Sequence, residues 1–267
     1  MPFNYNICDC SPLVIDKEFE INDENKLAKY VGMIILGHFT HVKNIINTLA
    51  HSDLKLSTSE FDLAISKLKK GKKTLNDIEK RDGWIFQIMS WLSLFIENKN
   101  KKFFCQQPHD APAQHGLDGV GLLLDNNWII EHIIITEDKC TENHRVLIPK
   151  VWKEFEEFEN DLRNNQLVSR ISALIENLNN GTVLEANRND IYNKDLWQYR
   201  IGINRNDSHQ EEDKRKKLFK GYDDCVSGTN PHRRYASTLN KEDIRNWMEE
   251  FSKKVIQYLE TQKNADV

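Results

Sequence analysis

The chain has 267 residues, of which 39% are hydrophobic and 29% charged; this excludes a disordered polymer and allows one large domain or a core with a smaller appendage. A formal charge of −4 excludes a global basic field, so nucleic acid would have to be met by local patches. No apolar run nears the roughly 20 residues needed to span a bilayer.

The N-terminus, Met1-Pro2-Phe3-Asn4-Tyr5, has no basic segment followed by an apolar one, so no signal peptide is expected. The cysteines, at positions 8, 10, 105, 140 and 225, are odd in number and dispersed. They fit the reduced thiols of a cytoplasmic protein better than a disulfide framework.

In chain order, residues 1–23 read as an extended lead-in, with Pro2 and Pro12 against regular helix. A helical pattern opens at Asp23-Glu24-Asn25 and carries apolar positions from Leu27 through Phe39 to Leu49. A second helix is expected from Ser57, with Glu60 completing a capping box and Lys69-Lys70-Gly71 closing it. The helix over about 74–97 is apolar around most of its girth, leaving a narrow polar row at Gln87, Ser90, Ser93 or Leu94, and Glu97. Gln87 must either hydrogen-bond inside the core or look into a polar cleft, because an unsatisfied buried amide costs about 1–3 kcal/mol.

Phe103-Phe104-Cys105 reads as a short strand, and the proline-bearing stretch 106–114 as a loop. Two apolar runs, Val120–Leu124 and Trp128–Thr136, then flank Asp125-Asn126-Asn127 and predict a hairpin. Pro149 marks the start of a long helical pattern that breaks near Asn164-Asn165 and stops at Asn179-Asn180-Gly181. Leu196–Ile203 reads as another strand, residues 204–233 as a polar stretch, and a last amphipathic helix is expected from near Asn240. The elements predict an α/β (α+β) fold, a small mixed central sheet flanked by helices. Its expected parts are an N-terminal helical region (1–73), a core (74–205), and a basic loop with a C-terminal helix packed on the core (206–267).

The chemistry concentrates on the hairpin. A turn centred on Asn126-Asn127 places Asp118 opposite Ile135, and strand alternation then puts Glu137 and Lys139 on the face of Asp118. Two carboxylates and an ammonium are what metal-dependent phosphodiester hydrolysis requires. Asp118 and Glu137, with the carbonyl of Asp138, can hold Mg²⁺ or Mn²⁺ while leaving room for phosphate and water. Lys139 would orient that water or neutralise charge in the transition state, and Gln87 could add an indirect contact. The opposing reading takes Asp118-Gly119 as a turn and Glu137-Asp138-Lys139 as a solvated strand end.

Gly116-Leu117-Asp118-Gly119-Val120-Gly121 followed by Glu137-Asp138-Lys139 resembles the core of the PD-(D/E)XK nuclease superfamily. The resemblance covers about residues 80–205, with Leu117 where that family usually has proline. It implies a restriction-endonuclease-like core with extra terminal helices, metal ligands at Asp118 and Glu137, and a catalytic lysine at Lys139. Gln87 would match the acid or glutamine of the preceding helix. The His115-Gly116-x-Asp118-Gly119 and Glu137-x-Lys139 segments also resemble the nuclease subunit of Hachiman-type bacterial anti-phage systems. That likeness implies a DNA nuclease restrained by a helicase partner.

His144 and Arg145 follow closely enough to contact phosphate. The run Lys214-Arg215-Lys216-Lys217, with Lys220, has the density of a backbone-binding patch, although Glu211, Glu212 and Asp213 make a self-compensating loop an equal reading. The expectation is therefore a cytoplasmic, metal-dependent DNA endonuclease without a membrane partner. The alternative is a catalytically silent accessory subunit that binds a helicase partner or DNA.

Overall fold

The computed structural model describes residues 1–49, 56–69, 74–114, 116–178, 183, 185, 187–228 and 230–265. His115, the helix end at Lys70-Gly71 and the stop at residues 179–181 lie outside the described residues. Among the described residues, seven strands form one mixed sheet. They are β1 (Phe3–Cys10), β2 (Val14–Ile21), β3 (Lys102–Cys105), β4 (Gly119–Leu124), β5 (Ile130–Lys139), β6 (Trp197–Arg205) and β7 (Arg234–Asn240). Their order is β1-β2-β7-β6-β5-β4-β3. The central β5, β6 and β7 run parallel, while β1–β2 and β5–β4–β3 pair antiparallel.

Helices cover both faces, as a sheet with buried parallel strands requires. One side carries α1 (Glu24–Ile35), α2 (Phe39–Ile46), α3 (Thr58–Lys69), α4 (Leu75–Glu97) and the C-terminal α9 (Ile244–Ala265). The other carries α5 (His144–Glu159), α6 (Asn164–Glu176) and the short α7 (Glu212–Leu218) and α8 (Tyr222–Cys225). Strand alternation divides the core accordingly. Leu123 and Ile134 face α4, whereas Leu122, Ile133 and Ile135 face α5 and α6.

Several expectations are corrected. The lead-in is the β1–β2 hairpin, so residues 1–73 supply two strands as well as helices. The helical pattern expected to continue to Leu49 breaks at Gly37, whose φ of +88° suits glycine. There Gly37 N–H donates to the Ile34 carbonyl and His38 N–H to the Met33 carbonyl, the two bonds of a Schellman stop. Helix α5 starts at His144, five residues before Pro149. The Asn143 carbonyl accepts from Val146 and Leu147, and Pro149 forfeits only one bond just beyond the first turn. The break before α6 falls at 160–163, so Asn164 opens that helix. Residues 234–240 form β7, and the last helix begins at Ile244.

The hairpin register also differs. Val120 pairs with Ile135 and Leu123 with His132, but Leu124 pairs with Ile130, leaving Glu131 as an extra residue in β5. The turn is longer than two residues: Asp125 Oδ1 accepts from Asn127 and Ile129 N–H, and Trp128 turns back with φ +66°. The pairing consequently moves by two positions. An even shift preserves the facing of every side chain, and continuing the ladder past Gly119–Thr136 sets Asp118 opposite Glu137 rather than Ile135.

Candidate active site

Asp118 stands just before β4, and Glu137 and Lys139 close the adjoining β5. Lys139 Nζ lies 3.0 Å from Glu137 Oε2 and 3.7 Å from Asp118 Oδ2, so the ammonium sits between the two carboxylates. Asp118 is held from two directions. The Gln87 amide donates to its Oδ1 at 3.0 Å and to its carbonyl at 3.1 Å, and Asp138 N–H donates to its Oδ2 at 2.8 Å. Gln87 reaches it because the polar row of α4 is pressed on the sheet; Gln87, Ser90 and Ser93 are all buried. Its Nε2 also lies 3.3 Å from His109 Nδ1.

Glu137 is 1% exposed; its Oε1 accepts no hydrogen bond, and its carboxyl lies within hydrogen-bonding reach of the Glu154 carboxyl. Burial, the Asp118 charge and the nearby Glu154 push its pKa well above the usual carboxylate range, against the pull of Lys139. For Lys139, burial acts to lower the pKa, but Glu137, Asp118 and Glu154 outweigh it and hold the group above the ordinary lysine range. Lys139 is therefore a fixed cation and hydrogen-bond donor near neutral pH rather than a proton acceptor.

Asp138 faces the other way. Its carboxyl accepts from Ser90 Oγ on the α4 side and lies 3.6 Å from Arg200, whose guanidinium donates to Ser90. Burial raises its pKa to about 7, with Arg200 opposing and Asp118 reinforcing the shift. Only the Asp138 main chain remains available on the Asp118 side.

Three charged residues of the neighbourhood were not singled out from sequence. Glu154 of α5 approaches Lys139 at 4.0 Å. Arg163, just before α6, pairs with Glu154 at 3.7 Å, and Arg170 of α6 hydrogen-bonds Gln106. Arg170 also feels the charges of Arg163 and Glu137. The available signal is slight, two arginines seven residues apart at and after the start of a helix.

The expected nucleic-acid contacts divide. His144, Arg145, Lys214 and Lys217 meet around one cavity between α5 and α7 that none of the site carboxylates lines. Arg215 is buried away from it, 3.0 Å from Asp16 and 3.3 Å from Glu18. Lys216 pairs with Glu212.

No family model matches the chain, and no curated protein or solved structure matches it. Among the described residues, no group of three or more His, Cys, Asp and Glu side chains is arranged to hold a metal ion. The two carboxylates nevertheless fit a hard cation that retains most of its waters, and the buried Glu137 Oε1, which accepts no hydrogen bond, is an oxygen ligand such an ion could take. No helix among the described residues is long and apolar enough to cross a membrane.

Proposed function

We propose that this chain is a metal-dependent DNA endonuclease with a restriction-endonuclease-like centre, the cytoplasmic effector of a bacterial anti-phage complex restrained by a helicase partner. One observation carries the reading: Asp118, Glu137 and Lys139 converge at adjoining strand ends, with Glu137 Oε1 buried and accepting no hydrogen bond. Bound Mg²⁺ or Mn²⁺ would supply Lewis acidity toward a phosphoryl oxygen. Asp118 and Glu137 would hold the ion, and Gln87 with the Asp138 N–H would fix the orientation of Asp118. Lys139, as a permanent cation, would neutralise charge that develops on the phosphorus oxygens. Arg163 and Arg170 would draw the substrate phosphates toward the pair of carboxylates.

A second reading, a silent accessory subunit that binds a helicase partner or DNA, has its own supporting observation. Both Asp118 carboxylate oxygens already accept hydrogen bonds, and Lys139 occupies the space between the carboxylates. Plasmid cleavage in Mg²⁺ by the wild type and by a Glu137→Ala/Lys139→Ala variant separates the two. The nuclease reading expects the variant to lose activity by at least ~10²–10³-fold. Equal cleavage by both proteins would rule this site out, and no cleavage by either, with the helicase partner supplied, would favour the silent subunit.

A further inference from the structure

The cavity between the start of α5 and α7 has a volume of about 420 Å³, within the range of small-ligand pockets, roughly 300–1,000 Å³. Four cations line it: Arg145, Lys214, Lys217 and Lys220. Among the described residues none of the four is ion-paired or hydrogen-bonded through its side chain, and no carboxylate lines the cavity. That contrasts with the neighbouring Arg215 and Lys216, whose charges are neutralised by acids. Four like charges around one concavity repel one another, and a polyvalent anion relieves the repulsion.

The rest of the lining is an apolar wall of Ile148, Pro149, Trp152 and Leu218, with Ser208 and the imidazoles of His144 and His209 beside it. Trp152 is rigidly set: its indole stacks on Tyr222 with ring centroids 4.2 Å apart, and its N–H donates to the Lys220 carbonyl at 3.0 Å. A cationic rim beside a fixed aromatic and aliphatic wall matches a ligand that is anionic at one end and flat and apolar at the other. A bare anion would leave the apolar wall unused, and a hydrophobic ligand would leave the cations uncompensated.

We propose that this cavity binds a nucleoside 5′-phosphate, with the phosphate among Arg145, Lys214, Lys217 and Lys220 and the base against Ile148, Trp152 and Leu218. The ligand has two possible sources, a free nucleotide or the phosphorylated end of a DNA strand. The site does not depend on cleavage at Asp118 and Glu137, so it stands or falls separately from the nuclease reading.

The test uses the full chain in EDTA, where metal-dependent cleavage is suppressed. Anisotropy of short 3′-labelled single strands compares a 5′-phosphate with a 5′-hydroxyl, and calorimetry measures dAMP against inorganic phosphate. The proposal expects an advantage of about tenfold for the 5′-phosphorylated strand, or saturable dAMP binding about tenfold tighter than that of phosphate. The first result assigns the strand end and the second the free nucleotide. A Lys214→Glu/Lys217→Glu variant, altered only at exposed and unpaired side chains, should abolish the preference while keeping the wild-type melting temperature. Indifference to the 5′ group together with no preference for dAMP over phosphate would overturn the proposal, as would a preference that survives in the folded variant.

Discussion

Asp118 and Asp138 differ in role because they leave the sheet on opposite faces. Asp118 joins Glu137 and Lys139, while Asp138 is buried against Ser90 and Arg200 and contributes its N–H to Asp118. The space for Asp138 comes from Gly202, its pairing partner on β6. A Cβ at that position would fall 2.0 Å from Asp138 Oδ1 and 2.6 Å from Ser90 Oγ, which the packed core has no room to absorb. Gly202→Ala should therefore cost about 1–3 kcal/mol of stability in urea unfolding. A variant as stable as wild type would show that Asp138 is not confined as described. At this scale, sequence showed the shared facing of Asp118, Glu137 and Lys139, because side-chain parity survives any even shift of register. It did not show Glu154, Arg163 or Arg170, since they arrive by helix packing and no local pattern ties them to the strands.

Among the elements, α4 is the one that connects the site to the rest of the molecule. Its Gln87 and Ser90 hold the two aspartates, and near its start Arg81 and Asp82 form a buried network with α9. Asp82 accepts from Arg81 at 2.8 Å and from Arg245 at 2.9 Å, while Arg81 also reaches Glu249 at 2.8 Å. Arg245 in turn donates to the carbonyl of Cys140, the residue after Lys139. Removing the acid leaves two guanidiniums facing each other, one of them fully buried, so Asp82→Ala should destabilise the fold by about 3–5 kcal/mol. Glu79→Ala, which breaks only the exposed 3.8 Å contact to Arg245, should change stability by less than about 1 kcal/mol. Thermal unfolding of the two variants checks the contrast, and equal losses would refute it. The width of the apolar surface made α4 legible in sequence, and its narrow polar row was legible too. Which partner each polar residue meets was not, because that depends on a strand far away in the chain.

For the whole molecule, the sheet is assembled from both ends of the chain, with β2 and β7 joined in parallel beside the central strands. These strands were the least legible part of the fold. In β2 the inward positions after Val14 are Asp16 and Glu18, buried against Arg205 and Arg215, and β7 turns Arg234, Ser237 and Thr238 inward. Asp16 also accepts from Thr238, which links the two strands through side chains as well as backbone. A hydropathy pattern reads such segments as loop, because the compensating charges come from elsewhere in the chain. The hairpin of β4 and β5 was readable because its strands are apolar on both faces, and the site lies where that apolar pairing ends in charge. If the chain is a nuclease, this end holds a divalent cation through Glu137 and Asp118. Titration calorimetry of the purified chain with Mn²⁺ tests it most directly, without needing a partner or a substrate. Because burial and neighbouring acids raise the pKa of Glu137 well above the usual carboxylate range, the ion must compete with a proton there, and binding should tighten as pH rises toward that raised pKa. A saturable Mn²⁺ site with that pH dependence, lost in Glu137→Gln, is expected; undiminished binding by a folded Glu137→Gln protein would overturn the metal site.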